Sequence, residues 1–120
     1  MANPFVHIEL NTNNLAKAKD FYGSLFTWKL EDMPMPGGSY TMIKVGEGTA
    51  GGMMTHPMQS APSLWIPYIN VDDIAASTAK AKSLGAYLIK DVTAIPGMGS
   101  FSIFNDPTGA TFAMWQNAMK

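Results

Sequence analysis

The chain has 120 residues, enough to bury a core, with 47% hydrophobic and 14% charged residues, a balance that excludes a disordered chain. No apolar run approaches the ~20 residues of a membrane-spanning helix. The net charge is −1, all eight basic residues are lysines and cysteine is absent. Nucleic-acid binding, disulfides, thiolate nucleophiles and zinc–thiolate sites are therefore not expected. The N-terminal "MANPFVHIEL" has no basic stretch followed by an apolar one, so no signal peptide is read and a cytoplasmic protein is expected. The ten methionines suit an irregular core or an adaptable pocket.

In chain order, "FVHIEL" (5–10) reads as a strand. "NNLAKAKDFYGSLF" (13–26) reads as a helix with an Asn cap and an apolar face of Leu15, Ala18, Tyr22 and Leu25. "PMPGG" (34–38) reads as a chain break. "SYTMIKV" (39–45) and "TAGGMMT" (49–55) read as strands joined by the tight "GEG" turn, and "HPMQSAPS" (56–63) as a linker. The pattern then restarts. "LWIPYINV" (64–71) is a strand, and "DDIAASTAKAKSLG" (72–85) is a helix with an Asp cap and a glycine stop. "AYLIKDV" (86–92), "GSFSIFN" (99–105) and "ATFAMWQ" (110–116) are strands, with turns at "PGMG" and "DPTG".

The two halves can be placed in register. An offset of 59 carries Leu10–Ala16 onto Ile69–Ala75, Leu25 onto Leu84 and Asp32 onto Asp91. An offset of 61 carries Tyr40–Ile43 onto Phe101–Phe104 and Gly48 onto Gly109. Each half is a βαβββ module, about residues 4–55 and 64–116, in one α+β domain. Two such modules resemble the vicinal oxygen chelate superfamily, which includes glyoxalase I, bleomycin-resistance proteins and extradiol dioxygenases. The strings "LWIPYINVDDI", "AKAKSLGA" and "PGMGSFSIFNDPTGATFAMWQ" resemble its branch labelled as enzymes related to lactoylglutathione lyase.

The resemblance implies a cupped mixed sheet around one site, with metal ligands from the first and last strands of each module. Those ligand positions fall on His7, Gly52, Ile66 and Ala113, and the internal offsets agree with this placement. One imidazole cannot hold a divalent metal, so no metal and no cofactor are expected. Gly52 is then read as leaving open space where a ligand would project. Strand alternation places Glu9 beside His7, a pair able to share a proton as catalytic groups. It also places Met54 and His56 beside Gly52, Tyr68 and Asn70 beside Ile66, and Trp115 beside Ala113. With Gly52, Ile66 and Ala113 themselves, these are the expected ligand-binding residues. The expected role is binding a small, largely apolar organic molecule. A metal-free isomerase or lyase using His7 with Glu9 or Tyr68 is one alternative, and a drug-sequestering resistance protein is another. A homodimer is expected, with no nucleic-acid or membrane partner.

Overall fold

The computed structural model describes residues 2–35, 38–58 and 60–118. Its elements run β1 (Phe5–Thr12), α1 (Leu15–Leu25), β2 (Lys29–Met35), β3 (Gly38–Lys44), β4 (Gly51–Thr55), β5 (Leu64–Asn70), α2 (Ile74–Ser83), β6 (Tyr87–Ile95), β7 (Gly99–Asn105) and β8 (Thr111–Asn117). The fold is α+β, with two βαβββ units in one chain. The chain forms two compact units, residues 7–66 and residues 1–6 with 67–120. The boundaries thus fall inside β1 and β5, not in the 56–63 linker. The second unit claims the N-terminus because the Asn70 amide donates to the Pro4 carbonyl at 2.9 Å, and Asn3 Nδ2 donates to the Asn70 carbonyl at 2.8 Å.

In the first unit the strand order is β2-β3-β4-β1. β1 and β4 are parallel, while β4–β3 and β3–β2 are antiparallel. Asn14 Oδ1 accepts from the Lys17 amide at 3.0 Å and so starts α1. Under α1 the buried core is Leu10, Ile43 and Met53, flanked by Leu15, Ala18, Tyr22, Trp28, Leu30 and Val45. Leu25 departs from the expected apolar face: it is the last residue of α1 and is 57% exposed. β2 fills a stretch the residue pattern left unassigned and includes Pro34, which had read as a chain break. An edge strand tolerates proline, because its outward N–H has no ladder partner to lose. Met35 ends β2 and Gly38 opens β3, while Pro36 and Gly37 of that expected break lie outside the described residues.

The second unit repeats the plan with order β5-β8-β7-β6, β5 and β8 being parallel. Asp73 Oδ1 caps α2 by accepting from the Ala76 amide at 3.0 Å. Val71, Ile74, Phe104 and Met114 form the core under this helix. Asp106 Oδ1 holds the β7–β8 turn through the Thr108 amide (2.8 Å), Thr108 Oγ1 (2.7 Å) and the Ala110 amide (3.1 Å). The internal repeat extends to the ties between helix and sheet. Lys19 Nζ on α1 donates to Asp32, which accepts from Thr41 Oγ1 at 2.7 Å; Thr78 on α2 bonds Ser102 at 3.0 Å. The offsets of 59 and 61 relate Lys19 to Thr78 and Thr41 to Ser102.

Candidate functional site

On β1, alternation sends Leu10 into the core under α1 and His7, Glu9 and Asn11 to the opposite face. β4 lies beside β1, with Glu9 paired to Gly52, and β3 lies beside β4, with Met42 paired to Gly52. Tyr40, two residues before Met42 on the same face, is therefore a diagonal neighbour of Gly52. A Cβ on Gly52 would collide with the Tyr40 ring at its Cε2, Cζ and hydroxyl oxygen. The glycine is not open space: its missing side chain is replaced by the tyrosine ring. This corrects the expectation that Gly52 leaves room for a ligand. Gly51, next to it, has no Cβ for another reason, because one would strike the Ile8 carbonyl of β1.

Tyr40 lies across this gap and joins two groups. Its hydroxyl donates to Glu9 Oε1 at 3.0 Å and lies 2.7 Å from His7 Nε2. Asn11 Nδ2 donates to Glu9 Oε2 at 2.9 Å. Glu9 is 7% exposed and Asn11 5%, so this chain is largely shielded from water and each of its bonds counts for more than on the surface. With the tyrosine proton on Glu9, the Nε2-protonated tautomer of His7 is the one that can donate to the tyrosine oxygen. Burial lowers the His7 pKa below its ordinary 6.5, opposed by the charge of Glu9. His7 is thus held as a neutral base near neutral pH.

Tyr40 and Asn11 were missed in the sequence. The signal was present: an aromatic residue one diagonal step from a strand glycine, and a third polar residue on the His7–Glu9 alternation.

The other expected site residues divide between the units. In the first, Gly52 is buried, Met54 is half-buried and Ile66 is 4% exposed. His56 serves the linker, since its Nδ1 accepts from the Met58 amide at 3.0 Å and its own amide donates to the Thr12 carbonyl at 2.8 Å. In the second, Tyr68 (5% exposed), Asn70, Ala113 and Trp115 share the face opposite the α2 core. The Tyr68 and Phe101 rings lie 6.3 Å apart, and the Trp115 indole N–H donates to Asn117 Oδ1 at 2.8 Å.

The metal that the resemblance implies does not fit these residues. Of the four ligand positions, Gly52, Ile66 and Ala113 offer no donor side chain, and His7 is bonded to Tyr40. Among the described residues no three His, Cys, Asp or Glu side chains come together as a metal-holding group. Nor, among those residues, is any helix long and apolar enough to cross a membrane.

Comparison with known proteins agrees with the architecture. The chain is 34% identical over 111 residues to "Putative glyoxylase CFP32" of Mycobacterium tuberculosis, covering 92% of this chain and 42% of that protein. It is 26% identical over 126 residues to the anthracycline biosynthesis protein DnrV of Streptomyces peucetius, covering 92% and 46%. The chain thus spans less than half the length of these curated relatives. Among solved structures, the hypothetical protein BH1468 of Bacillus halodurans superposes with a TM-score of 0.73 at 17% identity, over 100% of this chain and 98% of that one. Methylmalonyl-CoA epimerase of Mycobacterium tuberculosis gives 0.70 at 14% identity, over 96% and 88%. These two likenesses show the fold alone. The family model for the Glyoxalase/Bleomycin resistance protein/Dioxygenase superfamily matches residues 5–114, and the chain belongs to that superfamily.

Proposed function

We propose that this chain binds a small, largely apolar organic molecule carrying one polar group, without the metal set its resemblance implies. The observation that carries the reading is the bonded chain Asn11–Glu9–Tyr40–His7: at one implied ligand position the Tyr40 ring packs on Gly52, and at another the His7 imidazole is bonded to Tyr40. His7 supplies the polar contact to the ligand, and its bond to Tyr40 orients the ring. Relatives named for a glyoxylase and for anthracycline biosynthesis support a small-molecule role. The test is a thermal-shift screen of metabolites and drugs on chelator-treated protein. The reading expects ligands that raise Tm for wild type and not for His7→Ala. Stabilisation that appears only with added divalent metal would overturn it.

A second reading is favoured by the bond between His7 and Tyr40 together with the lowered His7 pKa. With its ring tied to Tyr40 and its pKa lowered, His7 is the candidate general base for a metal-free isomerase or lyase reaction, and Glu9 stabilises the imidazolium through Tyr40. Solvent deuterium incorporation into a ligand found by the screen, lost in His7→Ala, would support this reading. A ligand recovered without exchange would leave binding as the function.

A further inference from the structure

Beyond the face it turns to the core, α1 carries a second apolar stripe that points outward. Phe21 is 58% exposed, and Leu25, Phe26 and the β5 residue Trp65 are between 36% and 57% exposed. Tyr22 lies among them, with the rings of Phe21, Phe26, Trp28 and Trp65 between 5.0 and 6.4 Å away. Phe26 and Trp28 also pack on each other, at 4.7 Å. Rings that fill the space between one another make a surface and not a pocket, so this face suits a protein partner better than a small molecule. The fold does not require it. The offset of 59 carries Phe21, Tyr22 and Phe26 onto Lys80, Ala81 and Gly85, and α2 packs on its own sheet with no aromatic residue in the helix. Large side chains carry about 150–250 Å² each, so the four exposed ones leave roughly 400 Å² of apolar surface open on one copy, the size of patch that marks an interaction site.

We propose that this face of α1 is where two copies of the chain pair about a two-fold axis. The stripe is complementary to itself. A shallow depression on it is lined by Lys17, Asp20, Phe21, Ser24 and Leu25. The first four are spaced i, i+3, i+4 and i+7, the corners of a hole that receives a side chain from a facing helix. Phe21 and Leu25 are the side chains that fill such holes, so one helix supplies both knob and hole, as an isologous interface requires. Gly23 and Ser24, small and exposed, let two helices approach closely in antiparallel order, with Phe21 against Leu25 of the partner subunit. Lys17 and Asp20 then fall at the rim with balanced charge, and a net charge of −1 leaves little repulsion between copies. Two such faces together bury about 800 Å², two-thirds of the ~1,200 Å² at which stable interfaces begin, before any polar rim is added. The pairing does not rest on the ligand reading or on the role of His7.

The experiment measures the mass of the intact chain in solution, by sedimentation and light scattering over a dilution series. The expected result is a dimer that dissociates to monomer on dilution. Phe21→Ser should raise its dissociation constant roughly a hundredfold, because each copy loses one anchor. Leu25→Glu, which sets a charge in the same contact, should be monomeric at concentrations where wild type is dimeric. Both residues are exposed within one copy, so circular dichroism of the variants should match wild type. Tyr87→Ser, at the counterpart of Trp28 in the second unit and 71% exposed, should leave the dimer intact. A wild type that is monomeric at every concentration would give the patch to a different partner and overturn the proposal. A dimer that survives both substitutions on α1, or is lost equally in Tyr87→Ser, would overturn it as well.

Discussion

Gly52→Ala adds one carbon, and the structure makes that carbon costly. It must enter space held by the Tyr40 ring, so the ring has to leave. Overpacking of this kind costs about 1–3 kcal/mol. Moving Tyr40 also strips a donor from the buried Glu9 carboxylate and a partner from His7, worth about 1–3 kcal/mol more. Replacing a strand glycine returns roughly 0.5–1 kcal/mol of backbone entropy. The net is a loss of about 1–5 kcal/mol, a large part of the ~5–15 kcal/mol that holds a domain together. In urea this lowers the unfolding midpoint by on the order of 1–2 M. The decisive comparison is a double-mutant cycle. With Tyr40→Ala in place the collision is gone, and Gly52→Ala should then be neutral or slightly stabilising. Equal cost of Gly52→Ala with and without Tyr40, or no cost in either background, would refute the substitution of ring for side chain.

Tyr40→Phe keeps the ring and removes the hydroxyl, so it should destabilise by about 1–3 kcal/mol in chemical denaturation while leaving Gly52 packed. For His7 the folded pKa lies below the ordinary 6.5, so as pH falls the unfolded chain takes up the proton first. Its contribution to stability is therefore full above pH 6.5 and declines as pH drops through 6.5 toward the folded value; urea midpoints at pH 7.5, 6.5 and 5.5 should show this, and His7→Gln should flatten it. Phe104, fully buried and stacked on Phe112 at 5.5 Å, should cost about 3–5 kcal/mol when cut to alanine, measured by equilibrium unfolding.

Local signals in the sequence carried the elements well. Asn14 and Asp73 cap the two helices through their own side chains, as short polar residues before an apolar-periodic run should, and the strand read at 99–105 is β7 residue for residue. The duplication was legible because both halves bury equivalent positions, down to Thr41 and Ser102, each fully buried. Pro34 misled because its meaning depends on where the strand lies in the sheet, which no local pattern states. Leu25 misled because helical spacing names a face but not how far the sheet beneath it extends. Tyr40 is the instructive miss: its partners His7, Glu9 and Gly52 lie on two other strands, and only the strand order β3-β4-β1 brings them together. That Gly52, Ile66 and Ala113 carry no donor side chain is plain in the sequence, whereas the aromatic ring against Gly52 required the fold.

The most direct test of the account measures affinity for a ligand recovered by the thermal-shift screen. Calorimetry would compare metal-stripped wild type, the same protein with zinc restored, and Tyr40→Phe. The account predicts that stripped and zinc-restored protein bind equally, and that Tyr40→Phe binds roughly tenfold more weakly because His7 loses the partner that orients it. Binding that returns only with zinc, or that is unchanged in Tyr40→Phe, would contradict it.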